Sequence, residues 1–167
     1  MNDVSVETAS PEATEGIASR LARALDAGDR ILLHGDLGGG KTTFVRGLLR
    51  GLDHPDPREV ASPTFAIHHR YVGGRLPVDH LDLYRLDPGP ALSLQGILDP
   101  LDDPDSVTAV EWPERLDGLP SNLALEVHLR RDTHRELHRR LHLVFVGARG
   151  ERLRDVWSAA AGKDTPS

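Results

Sequence analysis

The stretch "LLHGDLGGGKTTF", Leu32 to Phe44, constrains this chain more than any other. Four glycines and a lysine follow a short apolar run, and the chain holds only one other lysine, Lys163. Glycines there pack nothing; they let the backbone turn so that successive N–H groups point at one anion. Gly35-x-x-x-x-Gly40-Lys41-Thr42 fits the phosphate-binding pattern GxxxxGK[ST]. "RILLHG" (Arg30–Gly35) reads as a buried strand, and Thr42 to Leu52 has helical spacing at Val45, Leu48 and Leu49. A strand before and a helix after are the context that separates a phosphate loop from a chance glycine-rich turn. The helix aims its positive end at the loop. Gly35, Asp36, Leu37, Gly38, Gly39 and Gly40 would then cradle the phosphates. Lys41 would reach the β- and γ-phosphates, Thr42 would take a place on Mg²⁺, and Thr43 would reach the α-phosphate.

Around this loop the chain reads as one α/β domain, residues 10–161, between a frayed start (1–9) and a loose tail (162–167). Ser10-Pro11-Glu12 reads as a capped helix start, with Ile17, Leu21, Ala24 and Leu25 on one face and Gly28 as its stop. Asp53–Glu59 reads as a loop. Phe65–Leu86 reads as two strands around Gly73-Gly74, with Pro77 marking an edge or an irregular entry. A short helix is expected at Pro88–Leu98, a strand at Ser106–Trp112 stopped by Pro113, and further strands in "LALEVHL" and "RLHLVFV". In "LALEVHL", Leu123, Leu125, Val127 and Leu129 would share a face. Gly150 precedes an expected last helix. The fold expected is that of a single-domain P-loop NTPase: a central, mostly parallel sheet with an antiparallel hairpin and flanking helices.

The bulk numbers narrow the function. A net charge of −6 argues against strong unaided nucleic-acid binding, which rests on neutralising phosphates. The charge is uneven: His128–Arg154 holds eight arginines against three acids. The absence of cysteine excludes disulfides and thiolate chemistry. No apolar run is long enough to span a membrane, and the N-terminus lacks a signal-peptide pattern, so a cytoplasmic location is expected.

Guanine-specific phosphate-loop proteins carry an NKxD-type motif; Lys163 is followed by Asp164-Thr165, so ATP is favoured. A carboxylate at a neighbouring strand end is needed to hold Mg²⁺, directly or through water. Asp82 in "HLDLYRL" and Glu111 in "VTAVEWP" both qualify, though acids at strand ends are commonly plain surface groups. Thr64 in "ASPT" could sense the γ-phosphate as a switch loop does; Ser-Pro-Thr is also ordinary turn chemistry.

GDLGGGKTTF, SPTF, HLDLYRL and VEWPERL, in this order and spacing, resemble the TsaE (YjeE) family of bacterial ATPases over roughly Ser10 to Leu116. The resemblance implies a role in threonylcarbamoyl modification of the adenosine next to the anticodon. It implies a TsaB–TsaD heterodimer as partner, reset between turnovers by ATP hydrolysis, with tRNA met within that complex. It also implies Lys41 and Thr42 on phosphate and Mg²⁺, Thr64 in a switch-like loop, Asp82 as the Walker-B-type acid, and Glu111 as a Mg²⁺-site or catalytic carboxylate. Trp112 beside Glu111 is either functional or a core tryptophan. Gly39 stands where the family commonly has alanine, and Leu81 where it usually has phenylalanine. No arginine stands out as an internal finger, so hydrolysis is expected to be slow alone and partner-stimulated. Two rivals stay open: an ATP-switched binding module with incidental hydrolysis, and a small-molecule kinase.

Nine histidines invite a metal reading. His134, His138 and His142 are spaced by four but fall on an expected turn and strand, where they would not converge. His68 and His69 are adjacent on a strand and point to opposite faces. His34 and His80 read as packing residues near the phosphate loop. The basic stretch Arg130–Arg140 is either a solvated surface or a face for tRNA or a partner.

Overall fold

The computed structural model describes residues 2–63, 65–89 and 96–161. In chain order the elements are β1 (Asp3–Thr8), α1 (Pro11–Ala22), β2 (Arg30–His34), α2 (Lys41–Gly51), β3 (His68–Tyr71), β4 (Val78–Asp82), β5 (Val107–Glu111), β6 (Leu123–Arg131), β7 (Arg139–Phe145) and α3 (Gly147–Ala161). The seven strands form one sheet in the order β1-β7-β6-β2-β5-β4-β3. Its centre, β6-β2-β5-β4, is parallel throughout. The expected hairpin, β3 with β4, closes one side antiparallel; β7 and β1 close the other the same way. Pro77 precedes β4, and its carbonyl accepts from Val107, so it marks an entry and not an edge.

Side-chain alternation sorts the core into two layers. Ile31 and Leu33 of β2 pack with Leu21 and Leu25, from α1 and just beyond it, and with Phe44, Val45, Leu48 and Leu49 of α2. Leu32 points the other way, into a smaller cluster with Leu81, Leu83 and Val110. The Ser10 hydroxyl accepts from the Ala13 amide at 3.1 Å, with Pro11 in the first turn, as the expected cap requires.

Two buried groups anchor the start of β2. The Arg30 guanidinium, fully buried, donates to the carbonyls of Leu101 and Ser106, each at 2.8 Å, and to that of Asp103. Asp29 accepts from Arg149 at 2.7 Å and Arg152 at 2.6 Å, tying α3 to the sheet.

Five expectations differ from the structure. The first helix ends at Ala22 with Arg23 as its cap, so Ala24, Leu25 and the expected stop at Gly28 lie beyond it. Residues 1–9, expected to be frayed, include β1: Val4 and Val6 lie opposite Leu143 and Leu141 of β7. Two alternating valines give no local signal for a partner at the far end of the chain. The last helix begins at Gly147, not after Gly150. Gly150 lies within it because a Cβ there would stand 2.7 Å from the Ala124 carbonyl oxygen. Leu123 leaves the shared face of β6 because the β2–β6 register shifts between Arg30 and Ile31, which sends Leu123 to the smaller cluster. The loop expected at Asp53–Glu59 carries a single 3-10 turn, Pro57–Glu59. The helix expected at Pro88–Leu98 falls largely outside the described residues, which resume in a turn at Gly96.

The α1–α2 contact is backbone-close. A Cβ on Gly47 would sit 2.4 Å from the Glu15 carbonyl oxygen and 2.7 Å from Ala18 Cβ. Alanine gains about 1 kcal/mol of helix propensity over glycine, but overpacking costs about 1–3 kcal/mol or more. With contacts this short the overpacking wins. Gly47→Ala is expected to lower Tm by about 3–10 °C in a thermal melt; an unchanged or higher Tm would mean the two helices separate freely.

Candidate phosphate-binding site

The glycine loop joins the C-terminal end of β2 to the N-terminus of α2. Gly40 precedes the first helical residue with φ +105°, a conformation side-chain-bearing residues rarely adopt, and no side chain caps the helix. The first N–H groups of α2 therefore face the loop's hollow. A Cβ on Gly35 would stand 2.7 Å from the Leu129 carbonyl oxygen, so the turn packs directly on β6.

Lys41 is almost fully buried. Its Nζ donates to the carbonyls of Gly35 and, at 2.9 Å, Asp36, and lies 4.3 Å from the centre of the Trp112 ring. Burial holds the ammonium below the ordinary lysine value, while Glu111 and Asp82 pull it upward. Trp112 is left-handed, with φ +59°, and its ring also meets Tyr84 with centroids 4.9 Å apart. An uncommon backbone conformation for an aromatic residue thus places a flat apolar wall beside the lysine.

The two expected carboxylates converge. Asp82 of β4 lies opposite Glu111 of β5, and Leu33 of β2 lies opposite Glu111 on its other side. The Thr42 hydroxyl donates to Glu111 Oε1 at 2.8 Å, and His80 Nε2 meets the same oxygen at 2.8 Å. His80 is fully buried, and its Nδ1 makes no hydrogen bond among the described residues. Asp82 Oδ2 accepts from the Ser62 hydroxyl, and Oδ1 accepts from the Tyr84 amide at 3.0 Å. A cavity of about 280 Å³ opens between the loop, Ser62, Asp82, Glu111, Trp112 and Arg139.

Leu37 through Thr43, Asp82 and Glu111 thus line one cavity. Gly35 and Asp36 sit beneath it and turn their carbonyls to Lys41. Thr64 lies outside the described residues, but Ser62 of the same "ASPT" segment reaches the site. His34 does not: its ring stacks on His128, and Nδ1 meets Glu114 at 3.0 Å. His80 does more than pack. Its place two residues before Asp82, on the same face of β4, was the available signal. Arg139 gave no local signal. Within the basic stretch it turns inward and donates to the carbonyls of Gly39 at 3.1 Å and Gly38 at 3.2 Å. His134 and His138 lie in the turn and His142 on β7, so the three share no helical face.

Fold and loop together define the class: a single-domain α/β protein of the P-loop NTPase type. Residues 8–141 match the family model described as threonylcarbamoyl adenosine biosynthesis protein TsaE, and the chain belongs to that family. The tRNA threonylcarbamoyladenosine biosynthesis protein TsaE of Synechocystis sp. is 46% identical over 129 residues, 72% of this chain and 78% of the relative. The protein of the same name from Nostoc sp. is 44% identical over 115 residues, 68% and 70% of the two chains. A crystal structure of Bacillus subtilis YdiB superposes with a TM-score of 0.72 at 30% identity, covering 95% of this chain and 96% of that one.

Arg139 generates an expectation independent of any nucleotide. A hydrogen bond from a charged donor such as this guanidinium contributes about 1.5–3 kcal/mol. Arg139→Gln should therefore leave the fold intact and speed exchange of the Gly39 amide, which donates to the Asp36 carbonyl at 2.9 Å, by about tenfold or more. Exchange at the wild-type rate would show that the arginine does not hold the loop.

Proposed function

We propose that this chain is a Mg²⁺-dependent ATPase. In this reading it serves threonylcarbamoyl modification of the adenosine adjacent to the anticodon in tRNA, by binding and resetting a TsaB–TsaD heterodimer. The family membership supports the pathway. The observation that carries the chemistry is the convergence of Thr42, Glu111 and Asp82 on one cavity behind the glycine loop.

The donor set fits the cofactors. Mg²⁺ takes oxygen ligands, and the cavity is lined by the hydroxyl-bearing Thr42, Thr43 and Ser62 and by two buried carboxylates, with Lys41 and Arg139 as its cations. The loop amides and the α2 N-terminus suit a polyphosphate. Bound Mg²⁺ would neutralise charge developing on the transferred phosphoryl group. Lys41 exchanges loop carbonyls for phosphate oxygens, and Thr43 sits one residue further along the same helix start. Thr42 and one of the two acids would hold the metal, and the other acid would orient the attacking water. His80 fixes the Glu111 carboxylate from behind. Thr64 belongs to the segment that Ser62 anchors on Asp82.

In this reading the isolated chain turns over slowly, and the same geometry supports it. Arg139, the arginine lining the cavity, is engaged with loop carbonyls. A partner group that completes the site would accelerate hydrolysis, as arginine fingers do by about 10³–10⁵. tRNA enters this reading only within the assembled complex. Among the described residues no helix is long and apolar enough to cross a membrane.

The deciding experiment is Mg²⁺-dependent ATP hydrolysis by the purified chain, with and without its cognate TsaB–TsaD pair. The expected result is slow turnover alone and clear stimulation by the pair. Lys41→Ala and Glu111→Gln should each lower the stimulated rate by about 10²–10³-fold. Equal rates alone and in complex would remove the reset role, and phosphate transfer to a small molecule would replace hydrolysis with a kinase.

A further inference from the structure

The sheet face turned away from α1 and α2 carries a second polar cluster, outside the lining of the nucleotide cavity. We propose that His34, Glu126 and His128 form a binding site for a divalent transition metal of the Zn²⁺ class. The topology builds it. β2 and β6 are parallel neighbours, His34 lies opposite His128, and Glu126 is two residues before His128 on the same face.

Distances agree with a tetrahedral ion. His34 Nε2 lies 3.4 Å from Glu126 Oε2, and His128 Nε2 lies 3.5 Å from the same oxygen. The three candidate ligand atoms all lie within 4.8 Å of one another. A tetrahedron with metal–ligand bonds of about 2.0–2.1 Å has an edge of about 3.3 Å. The two N–O separations therefore need to contract by only about 0.1–0.2 Å. The two rings stack, with planes 9° apart and centroids 4.3 Å apart, so one ring must tilt for the two in-plane lone pairs to meet at one ion beside the carboxylate.

Protonation also agrees. His34 Nδ1 meets Glu114 Oε1 at 3.0 Å, the carboxylate–histidine pairing that accompanies metal-bound imidazole. With Nδ1–H donating to Glu114, Nε2 keeps its lone pair and faces the cluster. That Nε2 is buried and makes no hydrogen bond among the described residues. Two nitrogens and one carboxylate favour Zn²⁺, Co²⁺, Ni²⁺ or Cu²⁺ over Mg²⁺ or Ca²⁺. Water would take the fourth position. His142, opposite His128 on β7, stands further out with its ring centroid 6.1 Å away.

The test is calorimetric titration of chelator-stripped full-length chain with Zn²⁺, repeated with Co²⁺ in the spectrophotometer. One Zn²⁺ per chain is expected, with Co²⁺ d–d bands of a tetrahedral site. Glu126→Gln and His128→Asn should bind at least about tenfold more weakly, since even outer partners of metal ligands cost that much. Glu111→Gln at the nucleotide site and the double change His134→Gln, His138→Gln should bind as the wild type does. At a hundredfold excess over Kd, Zn²⁺ should raise Tm by about 5–10 °C in the wild type and not in Glu126→Gln. Should His128→Asn fail to fold, Glu126→Gln and the Co²⁺ spectrum still decide. No one-to-one binding, or equal affinity in the wild type and Glu126→Gln, would overturn the site.

Discussion

Glu111 holds the site together. One of its carboxylate oxygens accepts from Thr42 on α2 and meets His80 on β4, so a single atom joins a helix to two neighbouring strands. A carboxylate this buried costs several kcal/mol unless it is fully hydrogen-bonded. Asp82 next to it is equally buried and finds its donors in Ser62 and the Tyr84 amide. The two acids lie side by side close to Lys41, whose own burial disfavours its charge, and Arg139 lines the same cavity. Such a pocket has an excess of negative charge at its floor and N–H donors at its rim. It suits a divalent cation carrying a polyphosphate better than either component alone.

That arrangement needs β2, β5 and β4 to end together, and the opposite end of the sheet sees to it. Arg30 and Asp29 fix the start of β2 through buried bonds to the 101–106 segment and to α3. With one end pinned, parallel pairing carries the register to the other, where Leu33, Glu111 and Asp82 come into line. The loop grows from the end of a central strand, and the glycines let it pack closely there. Gly35 rests on the Leu129 carbonyl, and Arg139 ties down the carbonyls of Gly38 and Gly39.

What the sequence made legible was local. The phosphate loop, the Ser10 cap and the Gly73-Gly74 hairpin are each written within a dozen residues, where backbone conformation and periodicity act directly. Asp82 and Glu111 were legible as strand-end acids, though not the shared hydrogen-bond network that separates them from ordinary surface carboxylates. β1 was not legible, because two valines become a strand only against β7. Arg139 belonged by composition to a basic surface, and its contact with the loop spans 100 residues. The histidines illustrate the limit best. Spacing singled out His134, His138 and His142, which do not converge. His34 and His128, far apart in the chain, meet because β2 and β6 are neighbours.

Period-two alternation then explains how one strand end can serve two chemistries. Leu33 points to the α2 face with Glu111, His80 and Asp82; His34, one residue later, points to the other face with Glu126 and His128. The two polar clusters thus lie on opposite faces of the sheet, joined through the backbone between His34 and Gly35 and through Glu114, which meets His34 and acts electrostatically on Lys41. An ion bridging His34 to β6 would stiffen the point from which the phosphate loop departs without touching a phosphate ligand. Because the ligand sets differ, oxygen on one face and imidazole with a single carboxylate on the other, the two faces would select different metals from the same solution. Mg²⁺ would answer to the nucleotide, and a Zn²⁺-class ion to the strand pairing that supports it.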